Sequence, residues 1–222
     1  EALKKVAPKH PQTIYLDAQA TYLRKDYKAT RELTQQLLKT SPNNPNNLQL
    51  AGAVEYQLRS YIQAETYLSK AIQLAPNLSL ARRLLISTYL RSGQPEKALA
   101  TLQPVLDRIE KDASFLGLAG QTYLQNGDTK KAADYFAKAS KLDPDNATRK
   151  TSLALAHMAQ GNTVGGFEEL EQINSSDKGI TSDLALIAAY LRTNQPDKAL
   201  KAIDSLEKKQ PDNAATHNLR GR

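Results

Sequence analysis

Proline residues recur along this chain at an interval of 34 residues. Pro8, Pro42 and Pro76 are each one interval apart, Pro144 follows two intervals later, and Pro211 comes one residue short of two more. Because proline cannot continue a helix and disfavours helical geometry at the residue before it, each of these positions predicts a helix end. A fixed interval of this kind is typical of repeat proteins, in which one supersecondary unit is stacked many times.

Segment 113–146 shows what lies between two of these helix ends. When Ala113 is counted as position 1, the small residues Gly120, Ala132 and Ala139 stand at positions 8, 20 and 27, and Phe136 stands at position 24. This pattern resembles the tetratricopeptide repeat, in which small residues at these positions let two helices pack closely and a bulky residue at position 24 fills the gap. The resemblance implies an antiparallel helix hairpin in every repeat.

The same frame fits six consecutive segments of the chain. They are 11–44, 45–78, 79–112, 113–146, 147–179 and 180–213, and the fifth is one residue short and lacks the terminal proline. We therefore predict an all-α fold, a right-handed α-α superhelix built as a single solenoid of antiparallel helix hairpins. A coiled coil would need heptads without these prolines, and a pentatricopeptide array would have a slightly longer interval.

Partial repeats stand at both ends of the frame, over residues 1–10 and 214–222. Since solenoids normally end in polar capping repeats, we expect the natural protein to be longer at both ends. We also expect the apolar residues next to these two ends to permit a dimer.

Two places interrupt the regular pattern. Pro104 falls inside the second helix of the third repeat, where it removes a backbone hydrogen bond and predicts a kink. In the fifth repeat, Gly165 and Gly166 stand inside the second helix, so the stretch Gly161–Gly179 is predicted to be an irregular joint. Gly166 occupies position 20, where close packing can require a glycine, and the alternative to an irregular joint is ordinary decay of the repeat.

The composition excludes several classes of chemistry. The chain has no cysteine, which rules out disulfides and thiolate sites within it. His10, His157 and His217 do not have the spacing of a helical zinc pair, and His157 stands at position 11, where it is predicted to be a packing spacer. The glycine-rich stretch Gly161–Gly166 lacks the Lys-Ser/Thr ending of a phosphate-binding P-loop. We therefore predict no enzyme activity, no cofactor and no metal.

The formal net charge is +7, which could attract an acidic polymer. The basic residues are interspersed with acidic ones, as in Lys130, Lys131 and Lys138 beside Asp128 and Asp134. This mixture is typical of a solvated face and disfavours nucleic acid as a partner. No apolar run reaches the length of about 18 residues that a membrane helix needs, so membrane attachment would require an anchor outside this sequence.

The resemblance also predicts a binding surface. In tetratricopeptide repeats, positions 2, 5, 6, 9, 12 and 13 of the first helix usually face a concave groove. Here those positions carry amides, arginines and tyrosines that can bond a peptide backbone or a carboxylate. The candidate groove residues are Tyr15, Gln19, Tyr22, Gln49, Tyr56, Gln57, Arg83, Arg91, Gln121, Gln125 and Arg192. The same residues could also be ordinary solvated side chains.

These residues favour a protein-interaction scaffold that binds a peptide or protein segment in its groove. The alternative is a basic solenoid that binds polysaccharide or nucleic acid. Some tetratricopeptide proteins bind chaperone tails with a clamp of lysines, asparagines and an arginine, spread over three consecutive repeats. No three consecutive repeats of this sequence have that set, so a chaperone tail is not the predicted partner.

A narrower resemblance rests on Tyr89–Gly93 and Tyr123–Gly127, on the Gln-Pro-Glu-Lys-Ala-Leu segment at 94–99 and on Leu219–Gly221. These segments are similar to the tetratricopeptide lipoproteins of the bacterial PEP-CTERM/exosortase system. That resemblance implies a role in envelope protein sorting or exopolysaccharide export. It also implies a periplasmic, membrane-anchored location, with a cytoplasmic location as the alternative.

Overall fold

The computed structural model describes residues 7, 9–177, 179–211, 216 and 219, and this part of the chain is helical. Pro8, His217 and Gly221 lie outside it, as do most of the two partial repeats. The twelve α-helices of the described residues are α1 (Pro11–Leu23), α2 (Tyr27–Thr40), α3 (Pro45–Gln57), α4 (Tyr61–Leu74), α5 (Ser79–Arg91), α6 (Pro95–Leu102), α7 (Ala113–Gln125), α8 (Thr129–Leu142), α9 (Ala147–Ala159), α10 (Thr163–Ser176), α11 (Thr181–Arg192) and α12 (Pro196–Lys209). The predicted all-α fold is confirmed, and each of the six predicted segments contains one pair of helices.

Polar side chains and prolines set where the helices begin. The carboxylates of Asp26, Asp112 and Asp128 each accept a hydrogen bond from a backbone N–H of the first turn that follows. Prolines begin four of the helices, at the position where their missing N–H costs nothing. These caps and prolines therefore fix the N-terminal ends of the helices within the repeat frame.

The turn inside each hairpin has one recurring geometry. Position 15 adopts a left-handed backbone in all six repeats, with φ between 57° and 99° at Lys25, Arg59, Gly93, Gly127, Gly161 and Asn194. Three of these residues are glycines, which reach this conformation without strain, whereas a side chain there is unfavourable. The repeat frame read from the sequence therefore coincides with a repeated backbone conformation.

Small residues allow the two helices of a hairpin to approach closely. A Cβ atom on Gly52 would lie 2.4 Å from Cγ of Leu68, and one on Gly120 would lie 2.7 Å from the Phe136 ring. The contacts join position 8 of a first helix to position 24 of its second helix, as the repeat pattern predicts. Gly166 serves the same purpose, because a Cβ there would lie 2.1 Å from Cγ of Met158.

The described chain forms two compact units, residues 1–106 and residues 107–222. In the N-terminal unit, buried leucines and alanines from α1 to α6 form the core, including Leu37, Leu68 and Leu102. In the C-terminal unit, Met158, Leu170 and Leu186 belong to one cluster that extends over α9 to α12. The expectation of a single continuous solenoid stays a prediction.

The two predicted irregularities have different outcomes. The α-helical part of the third repeat's second helix ends at Leu102, and a 3₁₀ helix follows over Gln103–Arg108, so Pro104 ends the α-helix where a kink was predicted. The predicted irregular joint in the fifth repeat is wrong for its helix, because α10 is continuous for 14 residues. Gly166 packs against Met158, and the Asn162 side chain caps the first turn, which together explain this regularity.

Candidate functional site

All eleven predicted groove residues lie on the first helices of the hairpins. We call positions 2, 5, 6, 9, 12 and 13 of these helices the first-helix face. Six of the eleven side chains are exposed and five are half-buried. The exposed ones are Gln19, Gln57, Arg91, Gln121, Gln125 and Arg192, and the half-buried ones are Tyr15, Tyr22, Gln49, Tyr56 and Arg83. The face is therefore accessible, although which of its residues bind a partner stays a prediction.

In the N-terminal unit, the first-helix face carries tyrosine–amide pairs. The Gln57 side chain of α3 donates a hydrogen bond of 3.2 Å to the Tyr22 hydroxyl of α1, and Gln19 donates one of 3.3 Å to the Tyr15 hydroxyl. Tyr22 also meets the Tyr27 ring edge-on at 5.6 Å between ring centroids. The structure thus brings four predicted residues together in two pairs.

The arginines of the face are more dispersed. Arg83 and Arg91 both lie on α5 in the N-terminal unit, where Arg83 is half-buried and Arg91 is exposed. Arg192 ends α11 in the other unit. Arg82, beside Arg83, donates to the backbone carbonyls of Thr101 and Pro76 and so anchors the start of α5.

In the C-terminal unit, the first-helix face opens into a cleft of about 440 Å³. We call this the α7–α9 cleft, since one wall comes from α7 and the other from α9, with α8 beneath. It is lined by Ser114, Gly117, Gln121, Leu124, Phe136, Ala139, Thr148, Arg149, Ser152 and Leu155. Its volume lies within the range of roughly 300–1,000 Å³ that is usual for ligand pockets.

Arg149 fixes the two walls of the cleft relative to each other. Its Nη1 donates to the Ala113 carbonyl at 2.6 Å, its Nη2 donates to the Ser114 hydroxyl at 3.2 Å, and its Nε donates to the Asp143 carboxylate at 2.9 Å. The bond from Arg149, together with one from Asn146, holds the pKa of Asp143 below its usual value. The start of α9 is therefore tied to the start of α7 by charge-assisted bonds.

Sequence reasoning found Gln121 but missed the cleft around it. Position 5 carries Tyr15, Gln49 and Arg83 in the first three repeats, whereas the fourth repeat has Gly117 there. The glycine at position 5 was the available signal of the cleft, because no side chain stands there between the two first helices.

Position 11, where His157 was predicted to be a packing spacer, also joins successive hairpins in three of the repeats. Glu55 at this position is buried, and its carboxylate accepts two bonds from Arg31 of the preceding repeat, at 2.9 and 2.6 Å. The Tyr89 hydroxyl in the next repeat donates to Glu65 at 3.2 Å. These bonds connect neighbouring hairpins and rigidify the scaffold that carries the first-helix face.

Tyr190 continues this arrangement in the C-terminal unit. Its hydroxyl donates to Glu171 of the preceding repeat, and its ring stacks on Phe167 with centroids 4.7 Å apart. Burial, followed by the bond to Glu171 and the charge of that carboxylate, raises the pKa of Tyr190 to about 12.

His157, the predicted spacer, is half-buried, with Nδ1 lying 2.9 Å from Glu169 Oε1 on the second helix of its own hairpin. No cluster of three or more His, Asp or Glu side chains that could hold a metal occurs among the residues that the structure describes. Over the same residues, no helix has both the length and the apolarity to cross a bilayer.

Family models match most of the chain in separate pieces. The model described as "Tetratricopeptide repeat" matches residues 83–147 and 118–172. The model for subunit 3 of the anaphase-promoting complex, or cyclosome, matches residues 1–71, and a "PPR repeat" model matches residues 184–210, a stretch about one hairpin long.

Relatives of known name support the same family. The yeast Saccharomyces cerevisiae anaphase-promoting complex subunit CDC16 is 27% identical over 114 residues, which are 48% of this chain and 14% of that protein. The TPR repeat-containing protein MJ1428 of Methanocaldococcus jannaschii is 29% identical over 154 residues, which are 69% of this chain and 27% of that protein. The matched regions thus span well under a third of either relative.

Solved structures support the fold over nearly the whole chain. A tetratricopeptide repeat protein from Parabacteroides merdae matches with a TM-score of 0.78 at 17% sequence identity, covering 95% of this chain and 84% of that one.

Proposed function

Because this chain belongs to the tetratricopeptide repeat family, we propose that it is a protein-interaction scaffold that binds a peptide or protein segment along its first-helix face. The observation that carries the proposal is the accessibility of this face, with exposed amides and arginines on α1 to α11 and the α7–α9 cleft in its C-terminal part. Exposed amide and guanidinium groups can bond the backbone and side chains of an extended segment.

The relatives support the same general function. CDC16 is by its name a subunit of the anaphase-promoting complex, so one relative of this chain works within a protein assembly. Since this chain matches only a small part of CDC16, the identity of the partner is open to experiment.

A capture experiment with charge-matched variants tests the proposal. The face variant carries Arg91→Glu, Gln121→Glu and Arg192→Glu, all at exposed positions of first helices. The control variant carries Lys28→Glu, Gln36→Glu and Lys201→Glu, at exposed positions of the second helices α2 and α12, and has the same change of net charge. Both are used beside the native chain to capture partners from a cell extract.

We expect the native chain and the control variant to retain a protein that the face variant loses. Equal loss from both variants would show binding through net charge, as expected for nucleic acid or an acidic polysaccharide, with a steep dependence on salt. Equal retention by both would contradict binding through the first-helix face.

We further propose that the binding serves envelope protein sorting or exopolysaccharide export, in a periplasmic protein held at the membrane by an anchor outside this sequence. The support is the similarity of Tyr89–Gly93 and Tyr123–Gly127 to the PEP-CTERM/exosortase lipoproteins. Fractionation of cells that produce the full-length protein tests this location, and recovery in the cytoplasm would contradict it.

A further inference from the structure

The α7–α9 cleft has a chemistry that selects one class of occupant. We propose that it receives a single uncharged apolar side chain, of the size of leucine or phenylalanine, from an extended peptide, and that Gly117 is the residue that determines this specificity. The inference rests on the proposed peptide-binding function and assigns a side-chain pocket within the first-helix face.

The interior of the cleft is apolar. Leu124 and Leu155 are half-buried on the two first helices, and Phe136 and Ala139 lie beneath them on α8. An apolar side chain that enters this space leaves water, and the free energy of that transfer grows with the area buried. The Phe136 ring is only 5% exposed, so it presents no open aromatic face on which a sugar ring could stack.

Charge complementarity also favours an uncharged occupant. Arg149 is the one charged side chain among the described residues that line the cleft, and Asp143 neutralises it at 2.9 Å. The other polar lining residues, Ser114, Thr148 and Ser152 with the exposed amide Gln121, carry no charge. A carboxylate or ammonium placed here would lose water without gaining a free counter-charge, whereas Gln121 can bond the peptide backbone at the rim.

Gly117 makes the space, and the fold does not require a glycine there. A Cβ atom on Gly117 would meet only Nη1 of Arg149, at the ordinary distance of 3.5 Å. By contrast, Gly52, Gly120 and Gly166 are packed against side chains at under 3 Å. Because glycine destabilises a helix interior relative to alanine, a glycine with no packing or backbone requirement suggests a need for open space.

The test uses a display library of random linear 12-residue peptides selected against the complete chain. Three proteins are compared: the native chain, Gly117→Leu, which fills the cleft, and Ala137→Leu, which adds the same side chain at an exposed position of α8 outside the cleft lining. Circular dichroism first establishes that each variant is folded, and Gly117→Ala is a milder second variant.

We expect peptides selected by the native chain and by Ala137→Leu to share one leucine or phenylalanine position. A synthetic peptide of that sequence should bind Gly117→Leu at least about tenfold more weakly than it binds the native chain or Ala137→Leu, because one buried apolar side chain is lost from the complex. Peptides that bind with no shared apolar position, or that bind Gly117→Leu equally well, would overturn the pocket and leave the scaffold function standing. Failure of the folded native chain to enrich any peptide would overturn both.

Discussion

Two glycines three residues apart on α7 have opposite reasons for being there. Gly120 lies against the Phe136 ring, and a Cβ there would approach the ring to 2.7 Å, whereas Gly117 faces the open α7–α9 cleft. Gly120 permits the two helices of the hairpin to pack closely, whereas Gly117 leaves a space that the packing of the hairpin does not require.

This difference predicts opposite effects of the same substitution. Gly117→Ala should raise the free energy of unfolding by up to about 1 kcal/mol, because alanine is the better helix former. Gly120→Ala should lower it by about 1–3 kcal/mol, because the added methyl group overpacks the contact with Phe136. Urea denaturation of the two variants beside the native chain measures both, and a loss of stability in Gly117→Ala would show that this glycine is required for folding.

Tyr190 should ionise at a higher pH than a tyrosine in water. Its pKa is raised to about 12 by burial and by Glu171, whereas an unperturbed tyrosine titrates near pH 10. Since the folded pKa is the higher one, the contribution of this group to stability is complete below about pH 10 and is lost as the pH rises towards 12. A titration of phenolate absorbance on the folded protein should lose a step near pH 12 in Tyr190→Phe, and a step near pH 12 that persists in the variant would contradict the assignment.

At the scale of helices and hairpins, the residue at position 11 binds a side chain of the preceding repeat in three of the six repeats. Glu55 binds Arg31, Tyr89 binds Glu65, and Tyr190 binds Glu171. A lysine at position 19 also lies over the tyrosine ring in three repeats, as Lys97 does over Tyr89 at 5.4 Å from the ring centroid. Loss of one connection should therefore weaken the contact between two particular hairpins.

Arg31→Ala should lower the free energy of unfolding by about 2 kcal/mol, because it leaves the buried Glu55 carboxylate without its bidentate partner. In a Glu55→Gln background the same substitution should cost clearly less, since a neutral amide is easier to leave unpaired. Chemical denaturation of the four proteins gives this double-mutant cycle, and equal losses in both backgrounds would mean that the ion pair contributes nothing.

Pro104 shortens one second helix of the array. The helix α6 has 8 residues, while α2, α4, α8, α10 and α12 have 14. Pro104→Ala should let α6 continue through the 3₁₀ segment Gln103–Arg108, which has no buried residue, and should raise stability by about 1 kcal/mol.

Amide hydrogen exchange measures this change directly, as slower exchange over residues 105–108 in the variant. Pro76→Ala is the matched control, because Pro76 follows the end of α4 and its replacement should leave exchange over residues 105–108 unchanged. Unchanged exchange in Pro104→Ala would mean that tertiary packing, and not the proline, sets the end of α6.

The repeat frame predicted the helices and turns well, because proline, glycine and small residues act locally and recur at fixed positions. Pro104 and the Gly165–Gly166 pair were harder to interpret, since the first ends an α-helix and the second is tolerated by packing on Met158 and capping by Asn162. Partners of position 11 were not predictable from the frame, because Glu55 bonds a residue 24 positions away. The cleft was missed for a similar reason, because it depends on the absence of a side chain at Gly117 and on the bonds that Arg149 makes to the start of α7.

At the scale of the whole molecule, the repeats carry amides and arginines on their first helices. Caps and turns fix the shape of each hairpin, and the position-11 bonds join neighbouring hairpins. The formal net charge of +7 belongs to the N-terminal unit, where 14 basic residues stand against 7 acidic ones, whereas the C-terminal unit has 16 of each. The position at which a partner contacts the chain is therefore the property that distinguishes binding through the first-helix face from attraction by net charge.

Site-specific photo-crosslinking measures that position most directly. A benzoylphenylalanine placed at Gln57 or Gln121 reports on the first-helix face of each unit, and one placed at Ile62 or Val164, which are 77% and 73% exposed on the second helices α4 and α10, reports on the control surface. Each protein is irradiated in a cell extract, and the crosslinked products are identified by mass spectrometry. We predict that a protein partner is crosslinked from positions 57 and 121 and not from 62 and 164; crosslinking from the second-helix positions alone would contradict a scaffold that binds through its first-helix face.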